Sequence, residues 1–129
     1  MNQADQIIYA GSLVNPELLD YKKESAVVYD SAKMTLEEVV EKIQEAESTG
    51  KMTVRLHTGD PCVYGAIREQ MDELDKLGIG YDVTPGVSSF SGAAAALCAE
   101  YTLPEVSQSV IITRMAGRTP VPEGEELRK

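Results

Sequence analysis

Three short glycine-containing turns hold the polar groups of this chain that could bind a small molecule. They are Gly-Ser at 11–12, Thr-Gly-Asp-Pro at 58–61 and Pro-Gly-Val-Ser-Ser at 85–89. Glycine lets a ligand approach the backbone closely, while hydroxyl and carboxylate groups supply hydrogen bonds. These groups belong to Ser12, Thr58, Ser88, Ser89 and Asp60, and the Asp60 carboxylate could also face a cation.

A purely structural interpretation of the same turns remains open. Asp60 is a good residue to cap a helix, and Pro61 fits the first helical position, where its missing N–H costs nothing. Ser88 or Ser89 could cap the next helix in the same way. On this interpretation the glycines only make turns, and spacing alone does not exclude it.

The segments between the turns alternate between two patterns. Short β-branched and apolar runs predict strands at 6–10, 25–29, 51–57, 81–84 and 109–113. Amphipathic or small-residue stretches predict a helical turn at 15–19 and helices at 36–49, 61–77 and 90–101. Thr35 and Glu38 form a capping box before the first long helix, and Gly50 should end it.

This alternation predicts the α/β class, with a mainly parallel sheet and helices on both faces. Ligands of such sheets bind beyond the carboxyl ends of the strands, where helix N-termini add partial positive charge. We therefore expect Gly11, Gly59 and Gly86 to lie along one edge of the sheet.

The composition excludes several classes of function. The 129 residues suit one domain, and a formal net charge of −9 argues against nucleic acid as a partner. No uncharged apolar stretch approaches the roughly 20 residues of a membrane span, and no leader follows Met1. Cys62 and Cys98 form neither a metal cluster nor a disulfide framework, which favours the cytoplasm.

Single reactive residues are weaker candidates than the turns. His57 is the only histidine and has no partner for a catalytic triad, so packing or hydrogen bonding is favoured over acid–base catalysis. Cys62 is interpreted as a buried apolar residue rather than a reactive thiol. Neither G-x-G-x-x-G after a strand nor G-x-x-x-x-G-K-[ST] is present, which disfavours dinucleotide and P-loop sites. No catalytic residue and no metal site is assigned.

Four ordered blocks resemble the tetrapyrrole (corrin/porphyrin) methylases. They are Tyr-Ala-Gly-Ser-Leu-Val at 9–14, Leu-His-Thr-Gly-Asp-Pro at 56–61, Pro-Gly-Val-Ser-Ser at 85–89 and Leu-Pro-Glu-Val-Ser-Gln at 103–108. Tyr64 and Gly65 follow the second block, and Gly-Arg-Thr-Pro-Val-Pro-Glu-Gly at 117–124 follows the last. The resemblance extends over nearly the whole chain.

The resemblance implies methyl transfer from S-adenosylmethionine to a ring carbon of a corrin precursor. The residues it assigns to the cofactor are Thr58, Gly59, Asp60, Val63, Ser88 and Ser89. Gly11, Ser12 and Arg114 are weaker candidates for binding the tetrapyrrole substrate. Arg55 and Arg118 are the other basic residues expected near the edge, although a solvated surface is the alternative role for each arginine.

The resemblance also bears on domain organisation and partners. Residues 1–115 match an N-terminal α/β domain that lacks its first strand and helix, and 116–129 match a linker toward a second domain. We expect a homo-oligomer with no membrane or nucleic-acid partner. Two alternatives stay open, namely a non-catalytic, self-associating α/β module and a binder of another small ligand at the same edge.

Overall fold

A computed structural model of the chain, described for residues 1–117 and 120–125, contains a three-stranded sheet and three α-helices. The strands are β1 (Gln6–Tyr9), β2 (Val27–Asp30) and β3 (Thr53–Leu56), and the helices are α1 (Leu36–Ser48), α2 (Arg68–Lys76) and α3 (Ser89–Leu97). Short 3-10 turns lie at Gly11–Leu13, Pro16–Tyr21, Ser31–Lys33 and Glu123–Glu125. The sheet order is β2-β1-β3 and both pairings are parallel, which confirms the predicted α/β class.

Strand β1 forms the centre of the sheet because it pairs on both sides. Gln6 lies opposite Val27 of β2 and Thr53 of β3. Ile7 and Ile8, which point to opposite faces, are both fully buried. The remaining buried apolar residues are Ala4, Val14, Val39, Val40, Ala46 and Leu74. The continuous apolar character of β1 therefore reflects burial on both faces.

Helix α1 begins as its sequence predicts. The Thr35 hydroxyl accepts a hydrogen bond from the Glu38 N–H at 3.2 Å, and the Glu38 carboxylate accepts one from the Thr35 N–H at 2.8 Å. Together they satisfy two of the N–H groups that a helix start leaves unpaired. Beyond the helix end, Gly50 adopts a φ of +68°, a conformation that favours glycine.

The prediction that a helix begins at Pro61 is wrong. Residues 61–64 form turns instead, and α2 begins only at Arg68. An ideal Cβ on Gly65 would lie 2.0 Å from the Pro61 carbonyl oxygen, so the chain folds tightly back on itself here. Tyr64 and Ala66 have φ values of +59° and +50°, which are incompatible with an α-helix.

Two predicted strands are also wrong within the described residues. Neither 81–84 nor 109–113 pairs with a strand, and exposed apolar side chains such as Tyr81, Val83 and Ile111 occur there. A β-branched run forms a strand only when a neighbouring edge receives its backbone groups. Both edges of β1 are occupied by β2 and β3, and neither segment pairs with the outer edge of β2 or of β3 in the described structure.

The chain divides into two compact units, Met1–Gly92 and Ala93–Lys129. The first contains the sheet, α1 and α2. In the second, the described residues include the end of α3, which stops at Leu97 rather than at 101, and a single antiparallel bridge between Leu103 and Ser107. Among the described helices, none combines the length and apolar character required to cross a bilayer. A linker starting at residue 116 stays a prediction.

Candidate functional site

The carboxyl ends of all three strands lie at the same edge of the sheet, here called the carboxyl edge, because the strands are parallel. The Ala10 N–H, just after β1, donates to the Leu56 carbonyl at the end of β3 at 3.1 Å. The Ser31 hydroxyl, just after β2, donates to the Tyr9 carbonyl at 2.9 Å. Side-chain and backbone hydrogen bonds thus join the three strand ends.

Gly11 begins the turn that follows β1. Its φ is +72°, and an ideal Cβ at this position would lie 3.3 Å from the Ala32 Cβ beyond β2. The turn therefore packs closely against the end of β2, and its backbone conformation favours glycine. Ser12 follows Gly11 in the 3-10 turn Gly11–Leu13.

The turns at 58–61 and 85–89 contact each other through their backbones. An ideal Cβ on Gly86 would lie 2.2 Å from the Gly59 carbonyl oxygen, a distance that no side chain tolerates. An ideal Cβ on Gly59 would lie 3.4 Å from the Ser88 Cα, and Gly59 has a φ of +65°. Glycine at position 86 therefore permits the two turns to touch, and the backbone conformation at position 59 favours glycine.

The Asp60 carboxylate joins the same two turns. One oxygen accepts a hydrogen bond from the Cys62 N–H at 2.8 Å, and the other accepts one from the Gly86 N–H at 3.0 Å. The N–H groups of Gly86 and then Cys62 stabilise the ionised form and hold the pKa of Asp60 below its ordinary value. The structural interpretation of this turn had Asp60 capping an α-helix. Instead, Asp60 bridges two segments of the chain.

The other residues predicted for the cofactor lie on these two turns. Thr58 is exposed, whereas Val63 is half-buried and donates its N–H to the Asp60 carbonyl at 3.1 Å. Ser88 is buried, with 9% of its surface exposed, and Ser89 is the exposed first residue of α3. The two predicted segments are thus adjacent, and whether they bind a cofactor stays a prediction.

Arg55 has a structural role that sequence reasoning missed. Its guanidinium donates to the Ile8 carbonyl at 3.0 Å, to the Ser31 hydroxyl at 2.8 Å and to the Gln70 side chain at 3.0 Å. Desolvation lowers the pKa of this half-buried group. The expectation of a solvated or substrate-facing Arg55 is therefore wrong. Its position in β3, between apolar Val54 and Leu56, was the available signal.

His57 directly follows β3, two residues after Arg55. Its Nε2 is hidden from solvent and has no hydrogen-bond partner among the described residues. Burial, and secondarily the positive charge of Arg55, lower its pKa, so the imidazole is neutral near pH 7. Cys62 is exposed, contrary to prediction, because its segment is a surface turn and not a packed helix.

Arg114 is the remaining basic candidate among the described residues, and it lies in the second unit. Arg114 donates through Nη2 to the Pro120 carbonyl at 3.0 Å, so part of its guanidinium is engaged within that unit. Arg118 lies outside the described residues. In the described part of the chain, His, Cys, Asp and Glu side chains nowhere form a group able to hold a metal ion.

A parallel α/β sheet with glycine turns at its carboxyl edge defines a class of small-ligand-binding proteins. Within that class, the chain belongs to the tetrapyrrole (corrin/porphyrin) methylases, whose family description matches residues 1–129. This membership confirms the resemblance drawn from the four sequence blocks.

Individual members of the family match at high identity. The cobalt-precorrin-4 C(11)-methyltransferase of Methanocaldococcus jannaschii is 59% identical over 128 residues, which are 99% of this chain and 49% of that protein. The precorrin-4 C(11)-methyltransferase of Mycobacterium tuberculosis is 47% identical over 121 residues, which are 93% of this chain and 48% of that protein.

The solved structures include a cobalt-precorrin-4 methyltransferase described as a cobalamin biosynthetic enzyme. It is 50% identical to this chain, with a TM-score of 0.90, and the match covers 97% of this chain and 52% of that one. The chain thus spans about half the length of the curated relatives it matches.

Proposed function

We propose that this chain forms part of an S-adenosylmethionine-dependent methyltransferase that methylates C-11 of precorrin-4 or cobalt-precorrin-4 in cobalamin synthesis. The observation that supports this most strongly is the backbone contact of the 58–61 and 85–89 turns at the carboxyl edge. It occurs in a chain 59% identical to a protein named for that activity.

The groups on the two turns suit the amino-acid end of the cofactor. The Gly59 N–H has no hydrogen-bond partner among the described residues, and the preceding residue, Thr58, is exposed. Ser89 begins α3, whose N-terminus carries partial positive charge and favours a carboxylate. Together with the family resemblance, this supports assigning Thr58, Gly59, Val63, Ser88 and Ser89 to contacts with the cofactor, and Asp60 to the same site.

The proposed chemistry places small demands on the side chains. S-adenosylmethionine supplies a methyl group that positively charged sulfur already activates. The C–S bond breaks with its electron pair kept by sulfur, a C–C bond forms, and the macrocycle discharges the acquired positive charge by losing a proton. The protein contributes mainly alignment of the reactants, which accounts for a site without a triad.

A different set of residues is assigned to the tetrapyrrole substrate. Gly11 and Ser12 lie on the turn at the end of β1, and Arg114 is a candidate for a substrate carboxylate. The formal net charge of −9 does not attract a polyanion, so local cations would have to overcome the overall field. We further propose a cytoplasmic homo-oligomer that binds neither membrane nor nucleic acid.

Isothermal titration of the chain with S-adenosylhomocysteine, the demethylated product, tests the cofactor assignment. We expect saturable binding of the product and none of ATP at the same concentration, because the edge has no P-loop motif. Binding of ATP in preference to S-adenosylhomocysteine would instead support a phosphate binder at this edge. Absence of binding by either would contradict the proposed site.

The second candidate function is a self-associating module without catalysis. One edge of β3 is unpaired among the described residues, and such an edge offers N–H and C=O groups to another strand. Since the chain spans about half of its relatives, we expect it to transfer no methyl group alone. Measurable turnover of a precorrin substrate by the chain would contradict this expectation.

A further inference from the structure

We propose that the Asp60 carboxylate is a positioning group: it holds the 85–88 turn against the 58–61 turn and does not itself bind the cofactor. This inference rests on the proposed function, because it concerns how the same site is assembled. Asp60 contributes to the site by placing Gly86 and the two serines that follow it, Ser88 and Ser89.

The first support is the division of the carboxylate between two segments. Each oxygen accepts one backbone N–H, at 2.8 Å from Cys62 and at 3.0 Å from Gly86, and the second bond joins residues 26 positions apart. A carboxylate that accepts two amide hydrogen bonds is fixed in orientation. Its lowered pKa is consistent with ionisation stabilised by these amides.

The second support is that no sheet ladder holds the segment before Gly86. Residues 81–84 pair with no strand in the described structure, so backbone pairing does not place the 85–88 turn. The Gly86 N–H bond to Asp60 and the glycine contact then fix the turn from one side.

The third support is the position of the groups that the tether controls. Ser88 lies two residues after Gly86, and an ideal Cβ on Gly59 would contact the Ser88 Cα at 3.4 Å. The Ser88 carbonyl accepts the Gly92 N–H at 3.0 Å, which links the turn directly to the first turn of α3. A shift of Gly86 would therefore displace both Ser88 and the start of α3.

The test compares the wild-type chain with Asp60→Asn by ¹⁵N amide spectra, without ligand and during titration with S-adenosylhomocysteine. The substituted carboxamide would keep the shape of the side chain but could accept only one of the two N–H groups. Asp82→Asn is the matched control, because it removes the same charge from an exposed residue of the segment before Gly86.

Without ligand, we expect Asp60→Asn to shift the amide signals of residues 86–89 and Asp82→Asn to leave them in place. With ligand, we expect affinity about tenfold weaker than wild type, the scale of one lost charge-assisted hydrogen bond, and a reduced response at 86–89. The ligand response at Thr58 and Gly59 should persist at saturation.

Two results would overturn the inference. Weakened binding with unchanged ligand-free signals at 86–89 would make Asp60 a direct ligand of the cofactor. Shifted signals with unchanged affinity would show that the tether does not position the site. Failure of the wild-type chain to bind S-adenosylhomocysteine would instead contradict the proposed function, and the ligand-free spectra would still decide whether Asp60 holds the turn.

Discussion

At the residue scale, the candidate site depends on two glycines, which have no side chain, and on one carboxylate. At Gly86 any side chain would collide with the Gly59 carbonyl oxygen, and Gly59 has a φ of +65°, which favours glycine. The Asp60 carboxylate then bridges the same backbones. The sequence alone indicated these residues as candidates for the site. It could not indicate the hydrogen bond between Asp60 and Gly86, because no local pattern links residues 26 positions apart.

Gly86→Ala tests this contact. The added methyl group would lie 2.2 Å from the Gly59 carbonyl oxygen, so backbone must shift, and we expect a loss of about 1–3 kcal/mol in the free energy of unfolding. Gly80→Ala is the control, since its added Cβ meets nothing within 4 Å; it should change stability by less than about 1 kcal/mol, in the stabilising direction. Urea denaturation measures both, and equal stabilities for the two variants would contradict the proposed contact.

At the element scale, local sequence patterns were sufficient to predict one long helix and all three strands. The capping box and apolar stripe predicted α1, and the β-branched runs predicted β1, β2 and β3 to within two residues at each end. The same methods failed at 61–67 and 81–84. The tight turn around Gly65 replaces a helix at 61–67, and the run at 81–84 pairs with no strand, so local propensity does not decide either segment.

Arg55 is the group that joins the elements beneath the site, through β1, the 31–33 turn and α2. Arg55→Lys keeps the charge but loses the planar fork of donors, so we expect a loss of about 1–3 kcal/mol in stability. Arg68→Lys, on an exposed residue paired with Asp72 along α2, should cost less than about 0.5 kcal/mol. Chemical denaturation measures the free energy of unfolding of both variants. A similarly small loss of stability in each would contradict this role of Arg55.

At the scale of the whole molecule, the unpaired edge of β3 is the feature with the largest consequence. The Met52 and Leu56 carbonyls accept hydrogen bonds from β1 and its flanking residues. Because the backbone groups of successive strand residues point to opposite sides, those of Val54 also face β1, and those of Thr53 and Arg55 face the open edge. These unpaired N–H and C=O groups can pair with a strand of a second chain.

We therefore expect the chain to self-associate as its concentration rises, and light scattering after size-exclusion chromatography measures this. Amide hydrogen exchange then locates the contact. Protection of the Thr53 and Arg55 amides should increase with concentration, while the Val54 amide, which faces β1, stays equally protected. A monomer at all concentrations, with Thr53 and Arg55 exchanging freely, would contradict association through this edge.

The most direct test of the account is a crystal structure of this chain bound to S-adenosylhomocysteine. We expect the amino-acid end of the ligand to lie within hydrogen-bond distance of Thr58 or Gly59 and of Ser88 or Ser89. A ligand bound anywhere else, such as the groove between α1 and α2, would contradict it.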